Sequence, residues 1–246
     1  MDTEMANLRN LGCWILVPRS SLPPNTPIMD TRWTYRKKHD ENGNFTKNRS
    51  RLVAKGFTQI LGVNYFESFS PVASFVTIRT LFALTALPMF KVYQYDVEVA
   101  FIQSTIDPNH PPVYCAPAEG YDDRRQYVYQ LHKHLYGMKD SPRGWSKLFS
   151  SVCLTYGFSQ LKSDKCVFVK IVPNTKSGKS ANTFSAVLDA LPNVPERDRI
   201  YKDCPYESCI IVLCNYVVAG CAKYGGCTLS VYCGCFIIIG RPLQTV

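Results

Sequence analysis

The sequence predicts an α+β fold, and three observations lead there. Short runs rich in β-branched and aromatic residues recur along the chain, a 3.6-period apolar stripe runs from Pro71 to Leu87, and a second amphipathic stretch covers Gly144 to Tyr156. With 46% hydrophobic residues over 246 positions, there is enough apolar surface to bury a sizeable core. Charged residues make up 19% and aromatics 13%, which excludes a disordered solvating tail.

The elements follow in order. Strands are expected at Cys13–Val17, Ile28–Tyr35 and Phe45–Val53, the last two joined at Asn42-Gly43, a pair suited to a tight hairpin. The stripe of Val72, Phe75, Val76, Ile78, Leu81, Phe82 and Leu84 sits between Ser70-Pro71 and Pro88 and predicts a helix. KVYQYDV then reads as a strand and VEVAFI as a turn or short helix. Strands at Pro112–Cys115 and Tyr127–Gln130, the helix Gly144–Tyr156 and a strand at Lys165–Val169 complete this part.

Residues 171–206 are polar and broken by Pro173, Gly178, Pro192, Pro195 and Pro205, the pattern of an insert or linker. Gly178-Lys179-Ser180 looks like the end of a phosphate loop, but Pro173 stands where the first glycine of that motif belongs, so a polar turn is the better reading. From residue 208 on there are no acidic residues and two basic ones, Lys223 and Arg241.

The formal charge of +9 favours an anionic partner such as nucleic acid or a nucleotide. Much of it is concentrated: Arg32, Arg36, Lys37, Lys38, Lys47, Arg49, Arg51 and Lys55 face only Asp40 and Glu41, which makes a basic two-stranded ribbon. Seven of the 11 cysteines (Cys204, Cys209, Cys214, Cys221, Cys227, Cys233, Cys235) lie near the end of the chain. The opening MDTEMANLRN lacks a basic region followed by an apolar run, so an intracellular protein, cytoplasmic or nuclear and not secreted, is expected, without a disulfide framework. The apolar runs fall short of the ~20 residues that cross a bilayer, so no membrane partner is expected. The sequence sets no oligomeric state.

Five phrases carry a resemblance: Arg51–Gln59 (RLVAKGFTQ), Phe69–Ala73 (FSPVA), Tyr95–Phe101 (YDVEVAF), Leu135–Lys139 (LYGMK) and Ser141–Trp145 (SPRGW). In this order and spacing they resemble the reverse transcriptase of copia-type long-terminal-repeat retrotransposons. The likeness covers roughly residues 10–170 and implies the fingers and palm of a right-hand polymerase over 1–170, with 171–206 as a polar insert or linker and 207–246 as a degenerate, Cys-rich remainder of the palm; a thumb is not evident. The expected fold is therefore an antiparallel palm sheet with packed helices and a basic β-ribbon as fingers. The resemblance also implies an RNA template, a DNA primer and deoxynucleotide triphosphates as partners, and two Mg²⁺ ions held by three palm carboxylates as cofactor.

Carried onto this sequence, the resemblance makes Asp96, at the end of an apolar strand, the sole retained metal carboxylate and hence the catalytic residue; a surface Asp at a strand edge is the plain alternative. Phe101 falls where an aromatic meets the sugar of the incoming nucleotide and excludes a 2′-hydroxyl; a core Phe is its alternative. Arg51 and Lys55 lie where cations would neutralise a triphosphate, with Arg143 beside the nucleotide. Arg49 and Trp145 are expected against nucleic acid, and Trp145 is equally well read as packing at a helix start. Tyr136 and Gly137 mark the turn of their loop.

The second metal motif of the family, Tyr-x-Asp-Asp between two apolar strands, has its counterpart in Ile210–Gly220. If Tyr216 is the motif tyrosine, Val218 and Ala219 stand where the two aspartates belong, and no Asp follows Asp203 in any register. Tyr121-Asp122-Asp123 lacks the spacer and the flanking apolar strands, so it reads as a polar loop. Opposite charges ~4 Å apart at an effective dielectric near 20 attract by about 4 kcal/mol. Two missing carboxylates thus imply a rate loss on the order of a thousandfold or more, at about 1.4 kcal/mol per tenfold. The expectation is a polymerase by descent with impaired chemistry; the alternative is a non-catalytic nucleic-acid-binding remnant that uses its basic ribbon, or a product with no function. In the tail only Cys233 and Cys235 are closely spaced, which argues against zinc and for an altered reading frame or relaxed selection.

Overall fold

The computed structural model describes residues 1–40, 42–85, 90–97, 99–171, 209–214, 217–221, 227–231 and 234–240; for 84–85, 90–96, 171 and all residues from 209 onward it describes the backbone. The chain divides into two units, Met1–Phe69 with Phe101–Trp145, and Ser70–Ala100 with Ser146–Val246.

The first unit opens with a helix the sequence pattern did not announce, α1 (Asp2–Asn10). Only Met5 and Leu8 on its inner face are buried, too few apolar positions to give a periodic signal. Asp2 and Glu4 in its first turn and Arg9 in its last complement the helix dipole. The strands β1 (Trp14–Pro18), β2 (Ile28–Met29), β3 (Thr31–His39) and β4 (Phe45–Ala54) follow. Further on come the one-turn helix α3 (Ala100–Gln103), then β6 (Val113–Cys115) and β7 (Tyr127–Leu131).

One sheet has the order β1-β7-β6-β2, with β2 parallel to β6 and the other pairs antiparallel. Trp14 stacks on Tyr129 with ring centroids 4.2 Å apart. β3 and β4 form a separate antiparallel ribbon, from Thr31↔Ala54 outward. The expected single strand Ile28–Tyr35 is thus divided at Asp30, whose carboxylate accepts the Thr31 N–H (2.9 Å), so its two halves serve different sheets. The expected tight turn at Asn42-Gly43 is a wider loop closed by Asp40, which accepts the N–H groups of Asn42 (3.0 Å) and Asn44 (2.8 Å).

In the second unit, α2 (Phe75–Thr85) begins later than the stripe from Pro71 predicted. Ser74 Oγ accepts the Thr77 N–H (3.0 Å) and so caps the helix, while the Asp164 carboxylate accepts the Ser74 N–H (3.0 Å) and the Thr77 hydroxyl (2.6 Å). The strand β5 (Phe90–Asp96) follows, and α3 (Ala100–Gln103) and α4 (Ser141–Thr155) cross from one unit to the other. α4 starts three residues before the expected Gly144 because Pro142 suits a first helical turn, where no N–H is needed.

The strands β8 (Ser159–Gln160), β9 (Val167–Ile171), β10 (Cys209–Cys214), β11 (Val217–Cys221), β12 (Cys227–Val231) and β13 (Gly234–Gly240) complete the unit. A five-stranded antiparallel sheet has the order β5-β13-β10-β9-β8, and β11 pairs with β12 alone. Phe149 of α4 meets Phe168 of β9 edge-on, with centroids 5.8 Å apart. β9 starts at Val167 and not at Lys165 because Asp164 holds the Cys166 N–H (2.9 Å) in a turn.

The polar stretch from 172 to 208, with Gly178-Lys179-Ser180 in it, lies outside the described residues. Cys13, Cys115, Cys153 and Cys166 are free and buried, and burial pushes the thiols of Cys13 and Cys153 up to about 12, where they are unreactive. Among the described residues, no helix is long and apolar enough to cross a membrane.

Asp164→Ala should cost about 1–2 kcal/mol of stability, the usual worth of a helix cap, in urea denaturation followed by circular dichroism. Burial opposes ionisation of Asp164, yet its bonds from Thr77, Ser74 and the Cys166 N–H hold its carboxyl below the ordinary range. Its contribution is therefore complete above about pH 4 and lost as pH falls through its folded value. The stability gap between parent and variant should narrow on acidification; a gap that widens would show the sign to be wrong.

Candidate nucleotide and nucleic-acid interface

In the first unit, the base of the ribbon meets the loop Leu135–Asp140. The Ala54 N–H donates to the Tyr136 carbonyl (2.8 Å), and Val53 bridges to Tyr136. The approach is closer than side chains allow. Gly137 has φ +89°, and a Cβ there would stand 2.3 Å from the Ala54 oxygen; a Cβ on Gly56 would stand 2.0 Å from the Gly137 oxygen.

This contact sets the ring of Tyr136 under the guanidinium of Arg51, 4.7 Å from the ring centroid. Phe101 of α3 meets the same ring edge-on, with centroids 6.3 Å apart and planes at 75°. Arg51 Nε is buried and makes no hydrogen bond, and no described carboxylate lies within ion-pair distance of Arg51. Glu4 of α1 acts on it only through space: burial pushes the Glu4 carboxyl up, against the pull of Arg51 and Arg49. Arg51 is thus a cation stacked on an aromatic face with charge to offer an anion, the stacking being worth about 0.5–2 kcal/mol. The sequence pointed to Arg51 and Phe101 separately. It missed Tyr136 as the ring that joins them, and the contact of α1 through Glu4.

The other cations named from the sequence are placed differently. Lys55 pairs with Asp30, which also holds Arg124 (3.3 Å), and the Lys55 N–H donates to the Asp30 carbonyl (2.8 Å). Burial disfavours the Asp30 carboxylate, but Lys55, the Thr31 N–H and Arg124 hold its carboxyl below the ordinary range. Arg143 pairs with Glu67 and donates to the Phe69 carbonyl (3.3 Å). Arg49 is half-buried on β4, opposite Arg36. Trp145 is 1% exposed, so packing is the role its surroundings assign, and contact with nucleic acid would require it to be uncovered.

Arg32, Arg36, Lys37, Lys38 and Lys47 are exposed along the ribbon. The Tyr121-Asp122-Asp123 loop is tied down: Asp122 accepts the Tyr129 hydroxyl (2.6 Å) and pairs with Arg9 (3.3 Å), and Tyr121 donates to Asp2 (2.6 Å). The bond to Asp2 pushes the Tyr121 phenol up to about 12.

In the second unit, Asp96 closes β5 opposite Gly234, the first residue of β13. One strand further, Cys235 of β13 pairs with Cys214, the last residue of β10. The chain that links β10 to β13 therefore leaves from and returns to the sheet end that carries Asp96. Val218 and Ala219 lie in this link on β11, opposite Ser230 and Leu229, while Tyr216 lies outside the described residues.

Residues 13–177 match the family of the reverse transcriptase (RNA-dependent DNA polymerase). The chain belongs to this family. Among its relatives are polyproteins of copia-type transposons: it is 37% identical over 158 residues to the Retrovirus-related Pol polyprotein from transposon RE2 of Arabidopsis thaliana, covering 63% of this chain and 10% of that protein. To the corresponding polyprotein from transposon TNT 1-94 of Nicotiana tabacum it is 33% identical over 172 residues, 69% of this chain and 12% of that protein. An uncharacterized mitochondrial protein of Arabidopsis thaliana is 38% identical over 81 residues, 33% of this chain and 46% of that protein. The chain thus spans about a tenth of the length of the polyproteins.

The family fold is the fingers and palm of a polymerase, here with mixed α and β content, and its partners are nucleic acid and deoxynucleotide triphosphates. The family generally uses Mg²⁺. Two ions on three carboxylates do not fit the donors that this sheet supplies: β10 to β13 bring none to the end where Asp96 stands, since residues 208–246 contain no Asp or Glu. Among the described residues, no group of three or more His, Cys, Asp or Glu could hold a metal ion.

Gly137→Ala forces a side chain into the left-handed region and against the Ala54 carbonyl, at a cost of about 2 kcal/mol or more in urea denaturation. Trp145→Ala empties a closed site and should cost about 3–5 kcal/mol in the same measurement. A Trp145→Ala protein of parental stability would mean that the indole is not part of the core.

Proposed function

We propose that this chain is the nucleotide- and template-handling part of a copia-type reverse transcriptase, by descent a two-metal nucleotidyl transferase, whose chemistry is impaired because the aspartates of the second metal motif are missing. Residues 1–170 are read as fingers and palm, with the β3–β4 ribbon as fingers and the β5-to-β8 sheet as palm, and 207–246 as the degenerate remainder. The carrying observation is the pairing of two features: a cation, Arg51, stacked on Tyr136 beside Phe101, and a sheet end on which Asp96 has no carboxylate opposite it. Arg51 would meet the triphosphate and Phe101 the sugar. Lys55 and Arg143, engaged by Asp30 and Glu67, would have to exchange those partners for phosphate.

Primer extension on an RNA template with Mg²⁺ or Mn²⁺ tests the chemistry. Incorporation should stay at background for the parent and for Asp96→Ala alike; robust incorporation abolished by Asp96→Ala would refute the impairment. Nucleotide binding tests the rest. Arg51→Ala should weaken dATP binding by about tenfold, the worth of roughly one charge-assisted hydrogen bond, in isothermal titration calorimetry.

A second reading is favoured by the five exposed cations of the ribbon: a non-catalytic nucleic-acid-binding protein. Affinity for an RNA–DNA duplex should then fall with salt, log–log, by about 0.9 per phosphate neutralised. Charge reversal at Arg49, Arg51 and Lys55 should flatten that slope. Binding indifferent to both salt and charge reversal removes this reading.

A further inference from the structure

In the first unit, a chain of buried and part-buried polar contacts runs from Phe101 to the far end of the RLVAKGFTQ phrase. The Ser104 hydroxyl donates to the Phe101 carbonyl (2.9 Å). His134 Nδ1 lies 2.9 Å from Ser104 Oγ and 3.3 Å from the Ser104 carbonyl oxygen. The hydroxyl hydrogen is already given to Phe101 and the carbonyl can only accept, so Nδ1 carries the hydrogen and donates. On the other side of the ring, Nε2 faces the Asp140 carboxylate at 3.4 Å. Asp140 also accepts from Gln59 Nε2 (3.3 Å), and Gln59 Oε1 accepts the Lys139 N–H (2.6 Å).

Ser104 and His134 are 3% and 6% exposed. Gly144 closes the space beside them, since a Cβ there would stand 2.6 Å from His134 Cε1 and 2.7 Å from Ser104 Oγ. The imidazole is therefore packed closely against the Gly144 backbone.

Phe101 needs such a hold. Its helix α3 has four residues, too short to be stable by itself. The chain enters it through Val99 at φ +50°, a left-handed conformation that a β-branched residue adopts only under constraint. The entry to α3 favours release, and the bonds at its exit oppose it.

We propose that His134, hydrogen-bonded to Ser104 and facing Asp140, is the positioning residue that fixes Phe101 at the edge of the Tyr136 ring and thereby sets the preference for a deoxyribose over a ribose nucleotide. This rests on the reading of Phe101 as the aromatic against the nucleotide sugar. His134 touches neither nucleotide nor metal in this scheme and acts through Ser104 and its bond to the Phe101 carbonyl.

The test is the ratio of affinities for dATP and ATP, measured by titration calorimetry on the full chain. The parent should prefer dATP, and Phe101→Ala should abolish the preference. His134→Ala should reduce it by about fivefold, the worth of roughly one net hydrogen bond. His134→Asn places an amide N–H where Nδ1–H was and should restore the parental ratio. Because His134→Ala opens a buried site, Ser104→Ala serves as a second probe that removes only the hydroxyl, and it should lower the ratio in the same direction.

A parental ratio in both His134→Ala and Ser104→Ala, with the preference lost in Phe101→Ala, overturns the role of His134 and leaves that of Phe101 standing. If His134→Ala does not fold, a parental ratio in Ser104→Ala alone overturns it. Equal losses in His134→Asn and His134→Ala overturn it too. A parent without preference, or a Phe101→Ala protein that keeps it, overturns the reading of Phe101 and this inference with it.

Discussion

The first unit depends on one close approach of backbone to backbone. Gly56 and Gly137 let the end of β4 and the loop after His134 come nearer than any pair of side-chain-bearing residues could. The hydrogen bond from Ala54 to the Tyr136 carbonyl becomes possible at that distance, and it fixes the direction of the Tyr136 ring. Arg51 and Phe101 then meet on that ring although 50 residues of chain separate them. Two missing side chains therefore decide where a cation and an aromatic stand.

Charge in this unit is sorted by what surrounds it. Lys55 and Arg124 share Asp30, and Arg143 has Glu67, so each of these cations has a carboxylate beside it. Arg51 is carried instead on an aromatic face, with Nε buried and Glu4 acting from a distance. A guanidinium tolerates such a place because it is planar and weakly hydrated, where an ammonium would demand water or a carboxylate. Its charge is held in position yet not cancelled by a partner, the state in which an anionic ligand gains most from it. The second unit shows the reverse economy, a carboxylate at a strand end whose neighbouring strand answers with Gly234.

Much of the local structure was legible. The apolar runs, the proline and glycine punctuation and the basic density around Arg32–Lys55 marked β1, β4, β5, β6, β7 and the ribbon, because strands and hairpins leave their period in the sequence. α1 was not legible, since its helical face consists of Met5 and Leu8 alone and its stability comes from packing. The break at Asp30 and the late start of α2 were hidden for a shared reason. Each is made by a carboxylate bonding a backbone N–H, that of Thr31 or that of Ser74, and the second carboxylate comes from 90 residues away. Of the site, Arg51 and Phe101 were named from their phrases, while Tyr136 appeared only as a turn residue and His134 not at all.

The sequence by itself determined the family, the basic ribbon, and the fact that no acidic residue follows Glu207. These are properties of residue identity and order, which no folding can alter. Tertiary structure decided which of several similar cations lies over an aromatic ring, which aromatic lies between Arg51 and Phe101, and that the link from β10 to β13 leaves and rejoins the sheet at Asp96. Those outcomes depend on distances of a few ångströms between segments far apart in the chain. They are fixed by glycine contacts and strand register, and neither can be read from one segment alone.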